Sequence, residues 1–335
     1  MHQNNFNLLR LLFATMVLVT HSYTLSNGSL EDWLTQHTSG QISFSFIGLS
    51  GFFIISGYLV FQSLERNKNL IDYFKRRILR ICPGLFVVLL LTVLLGVFVY
   101  EGSFKGYVTN HSVWTYLPRN FFLVKPQGSI PGIFTSNPYG DVINGSLWSL
   151  LYECSFYFFL ASLFYFRKQI QFSLLIVAFT ILLIARLFWF RELSGHNYIL
   201  ASHLVLEFFP FFVLGALLAA LKIEKLKLRM ATLVMCVLTL ILFTALNSFE
   251  IVKFFLLPPT VILMGLGNIS QVNRLLTKLG DISYGVYIYA FPIQQTLVHF
   301  FKLDAQELML IALPVSFLLG YLSWHFVEKR ALQLK

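Results

Sequence analysis

Apolar residues in this chain fall into long runs of membrane-spanning length. Windows of about 20 apolar residues, enough to cross the hydrocarbon of a bilayer, recur about ten times. They lie near 8–25, 44–63, 81–100, 145–166, 170–190, 199–221, 230–246, 250–267, 283–301 and 308–327. The seventh and eighth are short and joined only by Asn247-Ser248-Phe249. Pro258-Pro259 is expected to break or kink the eighth, because proline lacks the N–H that a helix needs. The pattern predicts an all-α polytopic membrane protein of about ten transmembrane helices. Two intervening segments are long, Ser26–Ser43 and Glu101–Asn144. The second is rich in Gly, Pro, Asn and aromatics, and irregular loops of that length are more often functional than idle. There is no soluble domain, repeat or low-complexity stretch, so a single integral-membrane domain over 1–335 is expected.

Composition agrees with the pattern. Hydrophobic residues make up 57% and charged residues 12%, where a soluble domain carries about 25% charged; mean hydropathy is +0.72. The first apolar run has neither a basic leader before it nor a small-residue cleavage site after it, so it is expected to be retained as a helix. The net charge of +10 changes meaning once it is placed. About 18 of the 25 Lys and Arg lie in the termini and alternate loops, and about six lie in the opposite set. That asymmetry puts both termini in the cytoplasm and argues for lipid contact rather than a nucleic-acid partner. Cys82, Cys154 and Cys236 sit in apolar segments with no metal-ligand spacing and no disulfide framework, which reads as small buried residues. No metal site is expected.

Arg10 and His21 are ionisable residues inside the first apolar run, separated by ten uncharged residues. Such groups are costly in hydrocarbon and are functional candidates by default. Eleven helical steps of about 100° return to within roughly 20° of the same face and rise about 16 Å. A cation near one membrane surface thus stands in line with a possible base deeper in. The segment Phe74–Pro83 adds Lys75, Arg76, Arg77 and Arg80 on the same side. Arg77 and Arg80, three apart, share a helix face. Arginine's planar fork suits phosphate, although a basic anchor at the membrane surface explains the cluster equally simply.

Three further positions draw attention. Glu153 lies several residues inside the fourth window, at a depth comparable to His21, as a structural partner or a proton-handling group. Trp148, in the same block, is a candidate substrate contact. His203 and Glu207, four apart on the sixth window, share a face; they are a helix pair, a second catalytic base or a contact to an acceptor hydroxyl. Arg186 is a candidate counter-charge for one of these carboxylates. The small residues of Gly48–Gly57 read as a close helix-packing face rather than a catalytic serine site. A Gly-rich phosphate loop, paired metal ligands and a serine elbow are all absent.

Taken in order, these segments resemble the membrane-bound acyltransferase 3 family. The Arg10-to-His21 spacing is similar to its signature, and Phe52-Phe53-Ile54-Ile55-Ser56-Gly57-Tyr58 resembles its second segment. Arg77 and Arg80 followed by Pro83 match its Arg-x-x-Arg pair. Leu147-Trp148-Ser149-Leu150 with Glu153, Phe156 and Tyr157 matches its central block. Ser283-Tyr284-Gly285-Val286-Tyr287-Ile288 with Pro292, and Glu328-Lys329, resemble its closing motifs. The chain departs from it at Ala290, where many relatives carry His, and at Arg330 in place of a final Pro. Some relatives append an esterase-like domain; none is expected here.

The resemblance implies transfer of an acyl group, usually acetyl, from cytoplasmic acetyl-CoA to a hydroxyl of a cell-surface or lipid-linked glycan such as lipopolysaccharide O-antigen, at a bacterial inner membrane. Arg10, Arg77 and Arg80 would hold the donor's phosphates. His21 would act as general base or carry the acyl group itself, and Glu153 would orient or stabilise the imidazole. His203, Glu207 and Trp148 would face the acceptor. A transporter or flippase for a lipid-linked glycan is the main competing reading; a glycan polymerase and a structural or sensing membrane protein are the others.

Overall fold

A computed structural model describes residues 4–28, 31–123, 125–193 and 200–334, without the side chains of Arg191 and Leu193. Residue 199, the first of the sixth window, lies outside them. The described residues are helical, with no strand beyond two isolated bridges, Tyr100 to Ile133 and Ser129 to Val142, in the long loop.

A helix lies over each predicted window. These are α1 (Phe6–Asn27), α3 (Phe44–Arg66), α4 (Leu70–Val99), α7 (Trp148–Ser162), α8 (Lys168–Leu193), α9 (Ser202–Ala220), α10 (Arg229–Ala245), α11 (Phe249–Gly265), α13 (Ser283–Phe301) and α14 (Ala305–Ser323). Short helices α2 (Trp33–His37), α5 (Phe104–Thr109), α6 (His111–Phe121) and α12 (Ser270–Leu279) fill the connections; a π-helical turn, Trp324–Glu328, leads into α15 (Lys329–Leu332). Polar side chains start several of them. Ser43 caps α3, Asn69 caps α4, and Asp304 with Glu307 forms a capping box on α14, each satisfying N–H groups that a helix start leaves open.

Six of the described helical stretches are long and apolar enough to cross a membrane: α1, α3, α4, Lys168–Phe190, α9 and Ala305–Leu332. The bent pair α11 and α12 makes a seventh if it is one span. The bend does not fall where the sequence pointed. Helix α11 runs unbroken through Pro258-Pro259, and the 82° turn comes after Gly265. Buried Leu257, Val261 and Ile262 flank the prolines, and such packing tolerates proline in membrane helices.

Glycine sets the closest approaches. A Cβ on Gly57 of α3 would lie 2.0 Å from the Phe212 carbonyl oxygen, and one on Gly215 of α9 would lie 2.2 Å from that of Ile54. Helices α3 and α9 therefore cross with backbones in contact, as small residues permit. Helix α1 packs on α3 and α13, and one hydrophobic cluster joins these helices with α4, α7, α9 and α11. The rim is different: Leu187 and Phe188 of α8 and Met230, Met235 and Leu238 of α10 are exposed, which suits contact with lipid.

The candidate active site

Helices α1, α3, α4, α7 and α13 enclose a cavity of about 380 Å³. One end is basic, lined by Arg10, Arg76, Arg77 and Arg80; the other is closed by Phe52, Ser149, Leu150 and Tyr287. The volume is within the usual range of a few hundred Å³ or more for small-molecule sites.

Asp281, between α12 and α13, organises the basic end. Its Oδ2 accepts from Arg80 Nη2 at 2.8 Å and from Arg10 Nη1 at 3.3 Å. Its Oδ1 accepts from Ser283 Oγ at 2.7 Å. Burial alone would push this carboxyl up, but the guanidiniums of Arg80 and then Arg10 outweigh it and hold it below its ordinary range. Arg80 also lies 3.9 Å from Glu328 and reaches over the rings of Trp324 and Tyr284. The start of α1, the start of α4 and the end of the chain thus meet on one face. Arg77 differs. It stacks at 4.6 Å over the Tyr73 ring and donates to the Tyr73 carbonyl at 3.4 Å. None of the ion pairs among the described residues involves it. It lines the cavity over the Tyr73 and Tyr157 rings, with no carboxylate in ion-pair contact.

Glu153 enters from α7 midway along. Ser56 Oγ donates to its Oε1 at 2.8 Å, and the Tyr157 hydroxyl donates to the same oxygen. Beyond it Ser149 Oγ and the Tyr287 hydroxyl are 2.6 Å apart. Glu153 and His21 are not joined. The imidazole is edge-on to Phe291 with centroids 5.1 Å apart, and its Nδ1 is buried without a hydrogen-bond partner. The expected carboxylate–imidazole pairing is not made in this structure. Nor does His21 line the cavity, which ends at Tyr287, one turn of α13 before Phe291. Arg10 and His21 do share the face of α1 that meets α13, as their spacing required: Arg10 reaches Asp281 beside the start of α13, and His21 reaches Phe291 further along it.

The expected acceptor contacts lie elsewhere. Trp148 packs on Tyr152 and Phe208. Glu207 is held by Arg186 and Lys253, which also bind Glu250, so Arg186 is the counter-charge for Glu207. This ion-pair group ties α8, α9 and α11 together. His203, one turn away, has a buried Nδ1 without a partner. None of Trp148, His203 and Glu207 lines the cavity.

Asp281 is the residue that sequence reasoning passed over. It stands in a short polar junction with no periodicity to mark it; its one signal is a lone acid, after Gly280, between the basic α12 and an apolar run. Ser56 was visible in a small-residue segment that reads as a packing face rather than a catalytic serine site, and in the family's second motif. That reading holds, since Gly57 does bring α3 against α9, but Ser56 also serves the cavity.

Comparison with known proteins supplies the family. Residues 3–325 match a family profile described as an acyltransferase domain, the acyltransferase 3 type. The chain is 30% identical over 342 residues to a protein of Shigella phage Sf6 named O-acetyl transferase, covering 99% of this chain and 97% of the relative. It is 26% identical over 384 residues to Nodulation protein 10 of Rhizobium leguminosarum bv. viciae, covering 100% of this chain and 94% of that one. No solved structure gives a significant match. With the profile spanning nearly the whole chain and a relative named as an O-acetyl transferase matching end to end, the protein belongs to the acyltransferase 3 family and is an O-acyltransferase.

Proposed function

We propose that this enzyme transfers an acyl group, most simply acetyl, from a cytoplasmic acyl-CoA to a hydroxyl of a cell-surface or lipid-linked glycan such as lipopolysaccharide O-antigen, in a bacterial inner membrane. The observation that carries the reading is the cavity with four arginines at one end and its far end one helical turn short of the Phe291–His21 contact. A phosphate-bearing donor enters at the arginines, where Arg77 offers a fork with no carboxylate on it. Arg10 and Arg80, already in place around Asp281, complete the basic mouth. The pantetheine arm lies along the cavity past Glu153 toward α13, beside a helix that rises about 16 Å between Arg10 and His21.

In the direct route His21 takes the proton of the acceptor hydroxyl, the oxygen bonds to the acyl carbon, and the thioester C–S bond breaks. Thiolate leaves and is protonated. A neutral imidazole is suited to that task. In the relay route an imidazole nitrogen of His21 bonds to the acyl carbon, the C–S bond breaks and thiolate leaves with the imidazole proton; the acceptor oxygen then takes the acyl group, the C–N bond breaks and the hydroxyl proton returns to the imidazole. Glu153, bound to Ser56 and Tyr157, shapes the polar wall that the donor passes.

The test is analysis of surface glycan by mass spectrometry and proton NMR, before and after mild alkali. Cells making the wild-type chain are compared with cells making His21→Ala at equal membrane abundance. Alkali-labile acetyl ester that disappears with His21→Ala is the expected result. Ester in neither strain, across several acceptor glycans, would remove glycan acylation.

A further inference from the structure

Half-buried His21, whose Nδ1 is fully enclosed, has one aromatic ring against it. Phe291, 2% exposed, meets the imidazole edge-on. On its other side it packs at 6.1 Å against Tyr139, which belongs to the long irregular loop and is itself 43% exposed. Phe291 therefore stands between the imidazole and an exposed ring of the loop. The loop presses on the same ring at Gly145, where a Cβ would lie 2.5 Å from it. Two amides clamp the loop to α13 around this point. Asn144 Nδ2 donates to the Ile288 carbonyl at 2.9 Å, and Asn137 Nδ2 donates to Gln295 Oε1 at 2.8 Å.

The contact leaves polar atoms stranded. Ser146 follows Gly145 in the loop, and its buried Oγ has no partner. Gln294, fully buried three residues after Phe291, donates to the Leu18 carbonyl at 2.9 Å and to Ser22 Oγ at 2.8 Å, on either side of His21 in the chain; its Oε1 has no partner. His21 Nδ1 is the third such atom. Native structures rarely leave buried polar groups unpaired, and here three belong to His21, to the residue after Gly145 and to the residue three after Phe291.

We propose that Phe291 is a displaceable cover over His21 and that the place it closes is the acceptor subsite. A hydroxyl-bearing carbohydrate moves the ring aside and supplies hydrogen-bond partners to Gln294 Oε1, Ser146 Oγ and the imidazole. Tyr139, at the opening, gives a sugar face an aromatic surface. The inference rests on acyl transfer through His21. It adds a reason for the cover: with the ring in place, water does not reach the point where the donor's acyl group arrives.

The experiment reads access to His21 without requiring acyl transfer. Full-length protein in lipid vesicles is treated with diethyl pyrocarbonate, and carbethoxylation at each histidine is followed by peptide mass spectrometry. In the wild type His21 is protected and exposed His37 and His111 react. In Phe291→Ala, His21 reacts faster by a factor on the order of ten, the change that about 1.4 kcal/mol less protection gives. His203 and His299 remain as slow as before, which shows that the fold is kept. Phe291→Leu, a smaller change, gives an intermediate rate and serves if the alanine variant does not fold.

The second reading is free thiol released from acetyl-CoA with no glycan present. Water bonds to the acyl carbon, the C–S bond breaks and the thiol leaves with a proton, so release rises in Phe291→Ala. His21 staying protected in both variants while the wild type still acylates glycan would overturn the cover. His21 becoming reactive with no thiol release from either protein would uphold the cover and refute acetyl-CoA as donor.

Discussion

Arg80 and Asp281 stand 201 positions apart in sequence and 2.8 Å apart in the folded chain. The same carboxylate oxygen takes Arg10 at 3.3 Å. Two cations from different helices are thereby held beside one cavity by an acid from a third element. Removing one partner from such a buried group leaves a charge without compensation, a loss of about 3 kcal/mol or more. Asp281→Asn should lower the thermal midpoint of the purified protein accordingly, while Asp281→Glu restores part of it. Equal midpoints for wild type and Asp281→Asn would show that the bridge adds nothing to stability.

The same bridge has a defined pH response. The Asp281 carboxyl is held below its unfolded value of about 3.9. For a depressed acid the stabilisation is complete above the unfolded value and drains away as pH falls through the folded one. Wild-type stability should therefore exceed that of Asp281→Asn by a constant margin from neutral pH to about pH 5, and the two should converge only in stronger acid. Melting curves across that range check it; convergence already near neutrality would contradict the assignment.

Arg77 makes no ion pair among the described residues, so its replacement should spare the fold and cost binding. Arg77→Lys keeps the charge and loses the two-oxygen fork. Half-saturation by acyl-CoA should rise about tenfold, the equivalent of one charge-assisted hydrogen bond, with the thermal midpoint unchanged. An unaltered dependence on donor concentration would return Arg77 to the role of a membrane-surface anchor.

Gly57→Ala tests the helix crossing. The added methyl would sit 2.0 Å from the Phe212 carbonyl oxygen, a backbone atom that no rotamer change can move. Overpacking commonly costs about 1–3 kcal/mol, and this contact should fall at the upper end. Yield of folded protein from membranes should drop sharply. Gly128→Ala, whose Cβ would have nothing within 4 Å, should behave as wild type.

The helices were legible because each apolar run must bury its backbone polar groups within itself when no water is present. That requirement is local, so windows of sequence reveal it. Arg10 and His21 were legible for the same reason: an ionisable group is conspicuous in an apolar run, and helical geometry assigns both to one face. The course of α11 was not, because Pro258-Pro259 reads as a break until the buried residues around it are known.

Composition and periodicity were sufficient for a helical membrane protein with Arg10 and His21 on one face of its first helix. Those properties follow from energies that each segment carries alone: the transfer of side chains into hydrocarbon and the repeat of the α-helix. Tertiary structure alone decided that Asp281 joins Arg10 to Arg80, that Glu153 takes Ser56 and Tyr157 rather than His21, that Glu207 serves Arg186 and Lys253, and that Phe291 meets the imidazole edge-on. Each of these depends on which helices lie side by side. That choice is made where Gly57, Gly215, Gly285 and Gly320 let backbones approach, across distances that no sequence window spans.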